Sequence, residues 1–287
     1  MNENGSMTAR LCLFARAVHA QEEHPVFNDT KAEELLEKKD YDQFSKRAQS
    51  LDEYDERLLC RQVDCYFSPI LTSRSAFTED HVMNSAERNG RIQYVMLGAG
   101  MDTFAFRNQN PQIEIFELDH PYTQNYKKKR IRQLGWNIPE HVHYIPIDFT
   151  KDDIANTLKE TTFDRSIPTV FSILGLTYYL SLDTFSSMLE RISSLMKKGD
   201  EVIFDYPDPS GFQPSSDNRM KRLSKVTESL GETMQKGFTT DEIITVLNNH
   251  HLRVKEHLTP SDIQERWFQN DERIKAFPCM HLMLAEK

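Results

Sequence analysis

Four cysteines, two tryptophans and ten glycines in 287 residues leave several architectures without material. Cys12, Cys60, Cys65 and Cys279 form no C-x-x-C pair and have no histidine at metal-ligand spacing. That excludes a zinc ribbon or a disulfide framework, predicts no metal site and leaves buried free thiols as the expectation. No apolar run approaches the length needed to cross a bilayer. Residues 1–10 lack the basic start and apolar core of a secretory signal, so a cytoplasmic location without membrane contact is expected. A basic surplus is missing as well. Lys and Arg number 35 against 44 Asp and Glu, and the net charge of −9 argues against broad contact with nucleic acid. The one basic run, Lys127-Lys128-Lys129-Arg130, falls in a helical stretch and points around most of its circumference, which reads as solvated surface.

What remains is an ordinary globular composition, 38% hydrophobic and 28% charged. The length suits one large α/β domain or two small ones. No repeat or low-complexity segment interrupts it. The first ninety residues are rich in helical patterns. Predicted helices cover Thr8–Ala20, Lys31–Lys39 with Asp29 or Thr30 as cap, Glu53–Phe67, and Ser75–Arg88 closed by Asn89-Gly90. From residue 92 strands and helices alternate. The strands are Ile92–Leu97, Ile113–Leu118, His143–Ile147, Thr169–Leu174, Glu201–Tyr206, Leu252–Leu258 and Met280–Ala285. Helices fill Pro121–Leu134, Asp152–Lys159, Leu182–Met196, Asp217–Gln235 and Thr240–Asn249.

Such alternation predicts an α/β fold, a doubly wound, Rossmann-like sheet of seven strands with helices on both faces. A helical cap occupies residues 1–90, and the core spans 91–287 with a helical insertion near 210–237. Between the last two strands only Ser261–Phe268 looks helical, too little for a crossover, so a closing antiparallel edge strand is expected.

The most informative stretch is Tyr94-Val95-Met96-Leu97-Gly98-Ala99-Gly100-Met101-Asp102-Thr103. A strand runs straight into Gly98-Ala99-Gly100, and the next strand ends at Asp119. Glycines let a ligand approach the backbone where a side chain would collide. An acid about 20 residues beyond such a turn is placed to hold the two ribose hydroxyls of a nucleoside. A dinucleotide site needs a third glycine, but that position is Thr103, and Asp102 puts a carboxylate where a pyrophosphate would sit. S-adenosyl-L-methionine, with an adenosine, no phosphate, an ammonium and a sulfonium, suits these residues better.

Ligands in open α/β sheets sit beyond the carboxyl ends of the strands. After the third strand, Asp148 can accept from an adenine amino group with Phe149 as apolar contact, or it can simply cap the next helix. After the fourth, Tyr178 and Tyr179 are placed to line the sulfonium side, where aromatic faces attract positive charge, or to serve as core and rim. After the fifth, Asp205-Tyr206-Pro207-Asp208-Pro209 forms a substrate wall or a turn.

Taken together these pieces resemble the leucine carboxyl methyltransferase family, in particular its bacterial branch of S-adenosylmethionine-dependent methyltransferases. The resemblance covers nearly the whole chain. It is carried by Thr8-Ala9, Ala15-Arg16-Ala17, Phe27-Asn28-Asp29, Arg74 with Phe77 and Asp80, and Leu97-Gly98-Ala99-Gly100-Met101-Asp102-Thr103. Further on it rests on Glu117-Leu118-Asp119-His120-Pro121, Asp148-Phe149, Gly175 to Leu180, and Phe204-Asp205-Tyr206. It implies that Arg74 pairs with the methionyl carboxylate, a bidentate task suited to guanidinium. Likewise it implies that Gly98 lies under the cofactor's amino-acid end, that Asp119 rather than Glu117 holds the ribose, and that Asp148 and Phe149 meet the adenine. One departure stands out. Leu174 occupies the place before Gly175 where the family commonly carries an acid.

Methyl transfer to oxygen is the activity implied, to a carboxylate or hydroxyl of a small metabolite or to a protein C-terminal carboxylate. Only an alcohol or phenol acceptor requires a base at pH 7. Tyr178 and Tyr206 by loop position, and His19 and His24 by folding-over of the N-terminal helices, are the candidates for acting on it. The competing expectations are a protein that retains the cofactor without turnover, suggested by Leu174, and a nucleotide-dependent oxidoreductase, suggested by a glycine turn after a strand.

Overall fold

In the computed structural model, residues 5–49, 67–213, 218–269 and 274–287 are described. Seven strands form one sheet: β1 (Ile92–Leu97), β2 (Ile113–Asp119), β3 (Val142–Pro146), β4 (Thr169–Ile173), β5 (Glu201–Pro207), β6 (Arg253–Leu258) and β7 (Met280–Glu286). Their order is β3-β2-β1-β4-β5-β7-β6. The first five run parallel, whereas β7 is antiparallel to both β5 and β6. The antiparallel strand is therefore not the edge. It slots between β5 and β6 because Met280 to Glu286 is apolar on both faces, and a strand covered on both faces needs two neighbours. The more polar β6 takes the edge.

The helices are α1 (Met7–His19), α2 (Ala32–Leu35), α3 (Lys38–Gln49), α4 (Ser68–Asn89), α5 (Phe104–Arg107), α6 (Pro121–Gln133), α7 (Ile154–Lys159), α8 (Leu182–Leu195), α9 (Asn218–Ser229), α10 (Thr240–Asn249) and α11 (Pro260–Ile263). The helix expected over Lys31–Lys39 is instead α2 and α3 with a break at Leu36, whose backbone is extended. The one expected over Asp217–Gln235 is α9, which stops at Ser229 ahead of Gly231 in the left-handed region; Asp217 lies outside the described residues. Glu53–Phe67 lies outside them too, save for Phe67 at its end. Helix α4 starts about two turns before the expected Ser75, and it packs across β1, β4, β5 and β7 as part of the sheet's own helical layer.

Alternation along the strands splits the core into two layers. Val95, Leu97, Phe116, Phe171 and Phe204 face α7, α8 and α10. Tyr94, Met96, Ile115, Val170 and Ile203 face α4. A third cluster, with Leu13, Phe14, Leu35, Phe44 and Ile131, seats the N-terminal helices over the sheet's carboxyl end. Among the described residues no helix is long and apolar enough to cross a membrane.

Candidate active site

The turn after β1 is built by glycines that no other residue replaces cheaply. Gly98 and Gly100 have φ of +74° and +56°, the left-handed region that side chains resist. A Cβ at Gly98 would lie 2.8 Å from the branched end of Leu176, and one at Gly100 would lie 3.3 Å from the Ala9 methyl. Asp119 closes the turn from β2. One carboxylate oxygen accepts from the Gly100 N–H and the other from the His120 N–H at 2.6 Å. Each oxygen keeps a further lone pair for a hydroxyl donor. Burial raises the Asp119 carboxyl above its ordinary range, against the pull of the two backbone donors. Asp102 is turned to the Phe104 N–H, 2.7 Å away, at the start of α5.

Glu117, two residues earlier in β2, is committed elsewhere. Its Oε2 lies 2.5 Å from Lys127 Nζ, with both side chains at most 2% exposed. Lys127 is thus buried rather than solvated, and Arg130 donates to the carbonyls of Leu35, Glu34 and Leu36. Of the basic run only Lys127 is buried; Lys128 and Arg130 are half-buried and Lys129 is exposed.

Arg74 projects from α4 to the carboxyl ends of β4 and β5. Its guanidinium lies 3.1 Å from Asp205 Oδ2, and Asp205 Oδ1 accepts from the Gly175 N–H at 2.7 Å. Gly175 has φ of +71°, and an added Cβ would meet the Arg74 guanidinium at 2.7 Å. Burial disfavours the charge of Arg74, but Asp205 outweighs it and keeps the group cationic. Register pairs Ile173 with Phe204, so the next residues, Leu174 and Asp205, lie side by side. The carboxylate at this corner therefore comes from β5.

Helix α1 spans both parts. Ala9 rests on Gly100, Arg16 donates to the Met101 carbonyl at 2.8 Å, and Cys12 borders Arg74. Asp29, expected as a helix cap, accepts from the Lys31 N–H at 3.2 Å just ahead of α2; it is also buried between Arg16 and Arg107 and accepts from Thr103 Oγ1 at 2.6 Å. Ser6 ties the start of α1 to Glu232, 3.0 Å away, and to Thr123. Gly98, Gly100, Asp119, Arg74, Gly175 and Leu176 thus lie under one roof.

The other expected residues fall at different depths. Asp148 Oδ1 accepts from Thr150 N and Oγ1 while Oδ2 pairs with Lys151, which holds its carboxyl below the usual range. Phe149 packs half-buried on the core. Tyr178 is enclosed next to Asp205 and Arg74, and burial raises its phenol far above the ordinary value. Tyr179 turns toward Glu232.

Tyr206 is fully buried on the opposite face of β5. Its hydroxyl lies 3.1 Å from Thr240 Oγ1 and 3.2 Å from His257 Nε2, and burial pushes its phenol up to about 12. His281 stacks on its ring and joins His257 to Asp208 at 3.0 Å each. Sequence reading passed over both histidines, although two strand-end histidines opposite an aromatic were the signal. His19 accepts from the Val26 N–H inside the cap, and His24 is exposed beside Glu23.

The sequence model of the leucine carboxyl methyltransferase family matches residues 9–193. This chain belongs to that family. A Bacillus subtilis relative named "Putative S-adenosyl-L-methionine-dependent methyltransferase YktD" is 32% identical, over 98% of each chain. A relative of the same description from Mycolicibacterium paratuberculosis is 30% identical over 78% of this chain and 72% of its own. Among solved structures, a DUF574 family protein from Streptomyces avermitilis superimposes with a TM-score of 0.60 at 13% identity, covering 99% of this chain and 98% of that one. Magnesium protoporphyrin IX methyltransferase from Synechocystis, solved with bound SAH, gives 0.50 at 11% identity over 87% and 94%. Those two likenesses establish the shared fold. The family member described here is an S-adenosylmethionine-dependent methyltransferase.

The donor set fits that cofactor. A permanently cationic guanidinium and an acid with free lone pairs match a carboxylate-bearing nucleoside, while the branched end of Leu176 packs on the Gly98 turn.

Proposed function

We propose that this methyltransferase acts on oxygen, with a carboxylate of a small metabolite as the acceptor favoured over an alcohol or phenol. When bound, S-adenosylmethionine supplies a methyl group on a positive sulfonium, an activated leaving group. Arg74 would hold the methionyl carboxylate, the amino-acid arm would approach Gly98 and Ala99 once the Leu176 side chain that packs on Gly98 turns aside, and Gly100 would present Asp119 to the ribose. Phe149 would border the adenine, with Asp148 at its amino edge. Helix α1 and the segment from Glu232 to Phe238 cover the corner and exclude water, so alignment rather than acid–base chemistry carries the step.

The observation behind the carboxylate is the state of the two loop tyrosines. Burial keeps both phenols protonated, Tyr178 above all, and the Tyr206 hydroxyl is occupied by Thr240 and His257. Neither serves as a base at neutral pH. A carboxylate acceptor arrives already ionised and asks for none. In this reading Tyr178 lines the sulfonium side and Tyr206 braces the wall behind it.

Incubating the protein with methyl-labelled S-adenosylmethionine and a panel of carboxylic acids, alcohols, phenols and amines tests the assignment. Label released as methanol by mild alkali identifies a carboxyl ester. Alkali-stable label on nitrogen or carbon sinks the reading, and label on a protein band moves it to a C-terminal carboxylate.

A further inference from the structure

Asp205 has no exposed surface and uses every polar group it owns. Its Oδ1 takes the Gly175 N–H, its Oδ2 takes Arg74, and its backbone carbonyl accepts from Thr177 Oγ1 at 2.5 Å. It thereby joins α4, the loop after β4 and the 3-10 turn Thr177–Tyr179 at a single corner. Arg74 is seated by it face-on to Gly175, with Cys12 of α1 alongside. A guanidinium has five N–H donors in a fixed fork, so one carboxylate can orient it while others remain for a second. An unpositioned arginine would lose that fork to its own rotamers.

We infer that Asp205 is the positioning residue that aims Arg74 at the carboxylate of the cofactor, setting affinity for the amino-acid arm while leaving affinity for the adenosine untouched. This rests on the reading of the site as an S-adenosylmethionine pocket. The adenosine contacts lie at Asp119, on β2, and share no hydrogen bond with Asp205. Two parts of one ligand should therefore respond separately to one substitution.

Titration calorimetry with two probes tests this. S-adenosylhomocysteine carries the amino-acid arm; 5′-methylthioadenosine has the same adenosine and thioether without it. Asp205→Asn is expected to weaken S-adenosylhomocysteine by about 10- to 100-fold, the scale of a charge-assisted hydrogen bond, and to move 5′-methylthioadenosine less than about 3-fold. Arg74→Met should do the same, and adding Asp205→Asn to it should cost nothing further, because residues that act through one another are not additive. Equal losses for both probes, or a further loss of about 10-fold in the double variant, would overturn the inference. If Asp205→Asn does not fold alone, the double variant, which leaves neither charge buried alone, is read against wild type with the same two probes. A loss confined to S-adenosylhomocysteine then supports the inference, and equal losses overturn it. Wild-type protein that binds neither probe would instead bring down the cofactor reading and this inference with it.

Discussion

Glu117–Lys127 and Arg74–Asp205 are both buried ion pairs anchored on a strand of the same sheet, yet they close in opposite ways. The first lies between β2 and α6, where an ammonium acts as a point charge on one oxygen. Among the described residues, Glu117 Oε1 and the neighbouring Tyr144 hydroxyl are enclosed with no hydrogen-bond partner. The second lies at the carboxyl ends of β4 and β5, and its arginine keeps 11% of its side chain exposed. A lysine pair locks an interior, whereas an arginine pair at a rim holds a fork ready for something else. Position in the fold, rather than charge alone, sets the two pairs apart.

The comparison breaks hardest at the interior pair. Lys127→Met leaves Glu117 without a counter-charge and should cost about 3–5 kcal/mol in denaturant unfolding at pH 8. Adding Glu117→Gln should recover most of it. The same pair sets a pH dependence. Burial outweighs Lys127 and pushes the Glu117 carboxyl up to about 7, from an ordinary 4.5. A raised acid contributes stability that is full below 4.5 and lost as pH rises through about 7. Melting curves across that window should show wild type losing ground against Glu117→Gln; a flat difference would contradict the assignment.

At the rim the expected effects shrink in stability and grow in selectivity. Gly175→Ala forces a left-handed backbone on a side chain and displaces the guanidinium. It should lower stability by about 1–2 kcal/mol. S-adenosylhomocysteine should also lose more affinity than 5′-methylthioadenosine in that variant. The smallest change is Tyr206→Phe, which deletes a hydroxyl shared with Thr240 and His257 and should cost about 1 kcal/mol. Thermal unfolding reads it, and methyl transfer per folded molecule should stay within about 3-fold if Tyr206 only braces the wall.

All seven strands could be read from the sequence to within a residue or so at each end, because β-rich apolar runs bounded by turns leave little choice of period. The glycine turn closed by Asp119 was legible for a related reason: its geometry depends on local spacing. What escaped was long-range. Lys127 reads as solvent-facing in a basic run until Glu117 is known to lie beneath it. Asp29 reads as a cap alone until Thr103 and Arg107, far along the chain, are folded onto it. Asp205 and Arg74 are 131 residues apart, and nothing in either neighbourhood announces the other. The order of the last two strands was also hidden, since pairing of β7 with β5 and β6 at once is a property of the sheet.

That insertion orders the assembly of the molecule. Strand β6 has no neighbour in the sheet except β7, and β5 keeps one edge open until β7 arrives. Residues 280–286 are therefore the wedge that completes the sheet, and a nascent chain lacking them leaves β5 with an open edge and β6 unpaired. Any ribosome stall or premature stop before that point would yield a species prone to sticking to its own kind, with the cofactor-side strands already paired.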